Sequence, residues 1–144
     1  MKQQDNPEYV YAMTVALKAL KSRDRFASDI RLRCKRAGCK QEATDLVLQE
    51  LAEKSLIDDT SLAKRIAERW SQDKKWGKRR IYLELRKRGA PQESANLAIS
   101  EIEENINKAL ALIRGKPKDK AARALWSAGF SKDTIQAVLE TIEQ

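Results

Sequence analysis

The sequence predicts an all-α chain: three tandem three-helix repeats forming an elongated, curved array. Three observations carry this. Five Gly and three Pro among 144 residues leave few turns, and 35% charged residues with 6% aromatics favour helices over a sheet sandwich. Three segments of 23 residues align without a gap on a glycine, "DIRLRCKRAGCKQEATDLVLQEL" around Gly38, "RIYLELRKRGAPQESANLAISEI" around Gly89 and "KAARALWSAGFSKDTIQAVLETI" around Gly129. Within each segment apolar residues recur at helical spacing on both sides of the glycine.

Each repeat then reads as three helices in order. The first is amphipathic: "YVYAMTVALKAL" from Tyr9, "SLAKRIAERW" from Ser61 and "INKALALI" from Ile106. The second ends at the aligned glycine, where a residue at positive φ closes the helix and glycine has no Cβ to oppose it. The third starts behind Pro91 in the second repeat and Ser131 in the third, both suited to a helix N-terminus, and carries Leu48, Ile99 and Leu139 inward. The expected organisation is a flexible N-terminus over 1–8 and repeats over 9–57, 58–103 and 104–144. Each unit is too small to bury its apolar faces without its neighbours. In "LIDD", Asp58 or Asp59 is the natural N-cap of the helix that follows.

The alignment also places the two cysteines. Cys34 shares a slot with Leu85 and Leu125, and Cys39 with Ala90 and Phe130, so both read as small core hydrophobes. The chain has no histidine, which removes Cys/His metal sites and every Ser-His or Cys-His nucleophile pair. No Gly-rich phosphate loop or cofactor fingerprint occurs. The expectation is a non-enzymatic protein with no cofactor and no metal. No apolar run is long enough for a membrane span and the N-terminus lacks a secretory h-region, so a cytoplasmic location away from membranes is expected.

The net charge of +8 is unevenly spread. Residues 21–40 and 72–91 each hold eight Lys or Arg against two acids, and residues 112–131 hold five against one, so the remainder of the chain is net acidic. A surplus on the same element of every repeat predicts a basic side, the footprint of a surface for phosphate backbone or an acidic protein groove. Cations in a last helical turn also complement the helix dipole. That partly accounts for Lys35 and Arg36 before Gly38 and for Arg86, Lys87 and Arg88 before Gly89, while Arg31 and Arg33 stand further back in the first of these helices. It does not account for Lys74, Lys75, Lys78, Arg79 and Arg80, which stand before or at the start of a helix, where positive charge is unfavourable. All of these cations are candidate contacts, the second group foremost, and joint replacement of Lys78, Arg79 and Arg80 by Ala is expected to weaken partner binding while leaving stability nearly unchanged. Trp76 among them reads either as a stacking surface for a base or as a packing anchor, whereas Trp70 and Trp126 read as core. The alternative to a protein-binding regulator is a direct DNA-binding helical module acting through the same basic face; the acidic third helices argue against their lying in a DNA groove.

"LIDD", "SLA", "WGKRRIYLELRKRGA" and "SANLAI" together resemble the central repeat of the RecX regulatory proteins. Gly77, Arg80, Ile81, Glu84, Leu85, Arg88 and Gly89 fall in register with that family's pattern, and the resemblance extends over residues 9–143. Leu62 stands in place of the usual Phe, and neither Arg69 nor Trp70 is carried over as a contact. The resemblance implies three tandem three-helix repeats and a monomeric protein that binds the RecA recombinase filament on single-stranded DNA. It further implies restraint of filament extension, ATP hydrolysis and strand exchange in recombination, repair and the SOS response, and, in some members, direct contact with DNA.

Overall fold

A computed structural model describes residues 6–143. Within them lie nine α-helices and no strand: α1 (Pro7–Ser22), α2 (Ala27–Arg36), α3 (Gln41–Glu53), α4 (Asp59–Asp73), α5 (Lys78–Lys87), α6 (Gln92–Ser100), α7 (Ile106–Leu112), α8 (Lys118–Ser127) and α9 (Lys132–Ile142). Residues 1–5 of the expected flexible N-terminus lie outside the described residues. Asn6 then caps α1 by accepting from the Glu8 N–H, and Pro7 is the first helical residue, where its missing N–H costs nothing.

The helices pack in threes, each trio around its own apolar cluster. The first gathers Ile30, Cys34, Val47 and Leu51; the second Ile66, Trp70, Ile81 and Leu85; the third Ile113, Leu125, Phe130 and Val138. Among the described residues no backbone hydrogen bond joins the first trio to the third.

The three glycine endings share one geometry. Gly38, Gly89 and Gly129 have φ of 85°, 100° and 88°. The N–H after each glycine bonds the carbonyl four residues before it: Cys39 to Cys34, Ala90 to Leu85 and Phe130 to Leu125, at 2.9–3.1 Å. Cys34, Leu85 and Leu125, the slot those carbonyls belong to, are fully buried. Burial, with Cys39 close by, pushes the Cys34 thiol up to about 11.

Successive units join through the same parts. The side chain of Phe26, at the N-terminal boundary of α2, is buried in the second unit's cluster, and Ser28 Oγ donates to Gly89 O at 2.7 Å. At the next junction Gly77 N–H donates to Ala128 O at 2.8 Å and Arg79 N–H to Gly129 O at 3.0 Å. The start of α2 therefore sits on the end of α5, and the start of α5 on the end of α8. The second helices of the repeats run end to end, positive dipole end against negative.

Candidate partner-binding face

The residues expected to form the contact surface divide into those the junctions use and those they leave outside. Gly77 marks the division. Its φ of −80° would suit any residue, but a Cβ there would lie 2.5 Å from Gly129 O and from the Phe130 backbone, so glycine lets α5 close onto α8.

Just past it, Arg79 and Arg80 reach across the same junction. The Arg79 guanidinium lies over the Trp126 ring at 3.6 Å and donates to Trp126 O; its Nε is buried without a hydrogen-bond partner among the described residues. Arg80 donates to Ser127 O at 3.3 Å and lies over the Trp76 ring at 4.2 Å. Both cations thus satisfy the carbonyl end of α8, where positive charge is favourable. Two expectations are corrected. Charge unfavourable to its own helix is favourable to the one it faces, so removal of Arg79 and Arg80 will not leave the fold untouched. Trp126, expected in the core, is 45% exposed, with the Arg79 guanidinium stacked on it.

Lys74 and Lys75 stay outside. Both are exposed, Lys75 in the left-handed region with φ of 56° where the chain leaves α4. Trp76 packs as an anchor: half-buried against the second unit's cluster, its ring centroid 5.4 Å from that of Trp70, with Lys74 Nζ over it at 4.7 Å. Lys78 is half-buried, and its N–H donates to Glu104 Oε2 at 2.8 Å.

The remaining candidates lie along α2 and at the end of α5. Arg86 donates to Ala90 O at 2.9 Å, Lys87 pairs with Glu84 at 3.3 Å and Arg88 lies over Trp70 at 5.0 Å. In the first unit Arg31 pairs with Asp45 and Arg33 with Asp29, while Lys35 and Arg36 are exposed and make no ion pair among the described residues.

Two carboxylates unmarked by the charge pattern organise the junctions. Asp58 caps α4 as expected, accepting from Ser61 N–H at 3.0 Å, and these Ser61 bonds hold it below the usual range. Asp59 instead accepts from Ala27 N–H, the first of α2, at 2.9 Å, and burial pushes it up despite that bond. Glu104 takes the same place one unit on. It accepts from Lys78 N–H, from Ser131 N–H at 3.1 Å and from Thr134 Oγ1 at 2.8 Å, so one carboxylate serves the starts of α5 and α9. Burial alone would raise Glu104, but these hydrogen bonds outweigh it and hold it below the usual range. A capping acid at the end of "EIEE" carries no separate signal in sequence, because its partners are far along the chain.

No family model matches the chain. It is similar to two curated proteins, each called Regulatory protein RecX. One, from Chlorobium limicola, is 29% identical over 147 aligned residues that cover 90% of this chain and 91% of that one. The other, from Prosthecochloris aestuarii, is 26% identical over 140, covering 91% and 93%. Among solved structures, RecX from Lactobacillus salivarius superposes with a TM-score of 0.88 at 17% identity, over 94% of this chain and 97% of that one. A second, described as regulatory protein RecX, gives 0.80 at 21%, over 92% and 72%. At these identities the structures speak for the shared fold.

Proposed function

We propose that the chain, similar over about nine tenths of its length to two proteins called Regulatory protein RecX, is a member of that family, binds the RecA recombinase filament on single-stranded DNA and restrains its extension, ATP hydrolysis and strand exchange. It does so as a monomeric, non-enzymatic binding protein of the cytoplasm, built of repeats over 9–57, 58–103 and 104–144. The observation that supports this reading is the end-to-end row of second helices. A continuous row of repeats suits a long periodic partner, and exposed cations recur on two of its members: Lys35 and Arg36 on α2, and Arg86, Lys87 and Arg88 at the end of α5. Lys74 and Lys75 add two more where α4 gives way to α5. These charges are exposed to steer a polyanionic or acidic surface, whereas Arg79 and Arg80 act from inside by fixing the row.

The experiment is a pull-down on immobilised single-stranded DNA with and without RecA assembled on it. Retention well above that on the bare strand is expected when RecA is present. Equal retention on both would overturn the filament reading.

A further inference from the structure

The face between the second and third helices is built differently in the third unit than in the first two. Seven residues before the aligned glycine stand Arg31, Tyr82 and Ala122, and seven after it Asp45, Asn96 and Gln136. In the first unit Arg31 pairs with Asp45 from one helix to the other, and in the second the Tyr82 ring packs against the core cluster. In the third those positions hold a methyl group and an amide that bonds along its own helix, Gln136 Nε2 to Glu140 Oε1 at 3.1 Å. What the other units fill stays open as a groove of about 570 Å³, lined by Ala122 and Trp126 of α8 and by Ile135 and Leu139 of α9.

Trp126 stands where the other repeats have Lys35 and Arg86, so an indole replaces two cations. It is 45% exposed, and Ile135 and Leu139 beside it are half-buried, which leaves an apolar surface that calls for cover. The charges around the groove point to what covers it. Lys132, Ile135, Gln136, Leu139, Glu140 and Glu143 form one stripe of α9 at helical spacing. Lys132, at the N-terminal end, is exposed and makes no ion pair among the described residues. At the other end Glu140 is exposed and Glu143 pairs with Lys118.

A stripe that is basic at one end, apolar in the middle and acidic at the other is complementary to itself run in the opposite direction. With Ile135 opposite the second copy's Leu139, Lys132 falls between that copy's Glu140 and Glu143, and a twofold axis repeats the contact at the far end. We propose that two copies of this chain pair through their third units, α9 antiparallel to α9 across a twofold axis, each covering the other's groove. A foreign helix would have to reproduce this order of charges, whereas a second copy presents it by symmetry. The surface is small and the association weak, so the dilute chain is a monomer. The pairing uses none of the cations assigned to the partner-binding face and stands apart from the filament reading.

The test is sedimentation equilibrium of the full chain over a wide range of protein concentration, where the mass should rise from that of one copy toward that of two. Lys132→Glu and Glu140→Lys each bring like charges together at both ends of the interface and should weaken pairing about tenfold or more. Mixed in equal amounts, the two variants face opposite charges again and should associate as the wild type does. Ala122→Arg/Gln136→Asp rebuilds the pair that closes the first unit and should stay monomeric. Circular dichroism checks that each variant is folded. A wild-type chain that is monomeric at every concentration overturns the proposal, leaving the groove to another protein and the filament reading untouched. So does pairing that neither single reversal weakens, that mixing does not restore, or that the closed-groove variant retains, because the interface would then lie elsewhere.

Discussion

Replacing Glu104 tests whether one carboxylate locks the second unit to the third. Its oxygens accept from the first N–H of α5, from Ser131 N–H and from Thr134 Oγ1. Glu104→Ala leaves two backbone donors at a half-buried junction without acceptors, while Thr134 keeps its contact with Ser131 Oγ. Hydrogen bonds to a charged group contribute about 1.5–3 kcal/mol each, and bonds sharing one acceptor are not additive, so the set should be worth about 3 kcal/mol. For a chain near this length that corresponds to a fall in melting midpoint of roughly 6–12 °C by circular dichroism.

The charge adds a pH signature. The hydrogen bonds hold the folded carboxyl below its ordinary value of 4.5, so its contribution is fully present above the unfolded value and is lost as pH falls through the folded one. The gap between wild type and Glu104→Gln should thus be widest at neutral pH and close in acid. A midpoint unmoved by Glu104→Ala, or a Gln gap constant from about pH 7 to about pH 3, would refute the clamp.

Other substitutions separate structural charge and space from surface. Gly77→Ala should cost about 2 kcal/mol or more by forcing α5 off α8, whereas Gly38→Ala, with open space around its Cβ site, should cost about 1 kcal/mol of backbone strain; comparable midpoints for the two would contradict the junction geometry. Ala at both Arg79 and Arg80 should lower stability by about 1–3 kcal/mol in urea titrations, while Ala at Lys74 and Lys75 should stay within about 0.5 kcal/mol each. An equal cost for both pairs would sink the distinction between them. Cys34, buried with a thiol pushed up to about 11, should resist a thiol reagent at mildly alkaline pH until denaturant is added. Labelling of both cysteines in the native protein would refute its core placement.

What the sequence made legible follows from how local each signal is. The glycine alignment rests on hydrogen bonds closed within six residues, and it located the ends of α2, α5 and α8 and the buried slot of Cys34, Leu85 and Leu125. Asp58 was legible as a cap because Ser61 is three residues away. Arg79 and Arg80 were misread because their acceptors, Trp126 O and Ser127 O, lie 47 residues downstream, where only the fold brings them. Trp126 shares the periodicity of a core position, yet it stays half exposed with the Arg79 guanidinium stacked on its ring. Glu104 was missed for the same reason: its partners Lys78, Ser131 and Thr134 lie in segments that no window of sequence contains together.

The central claim, that exposed cations along the row engage a recombinase filament, is tested most directly by ATP hydrolysis of RecA on single-stranded DNA. Wild-type chain should slow it, and a Lys74→Glu/Lys75→Glu chain of unchanged melting midpoint should slow it much less at equal concentration. Hydrolysis unaffected by excess wild-type chain, or slowed equally by both, would contradict the account.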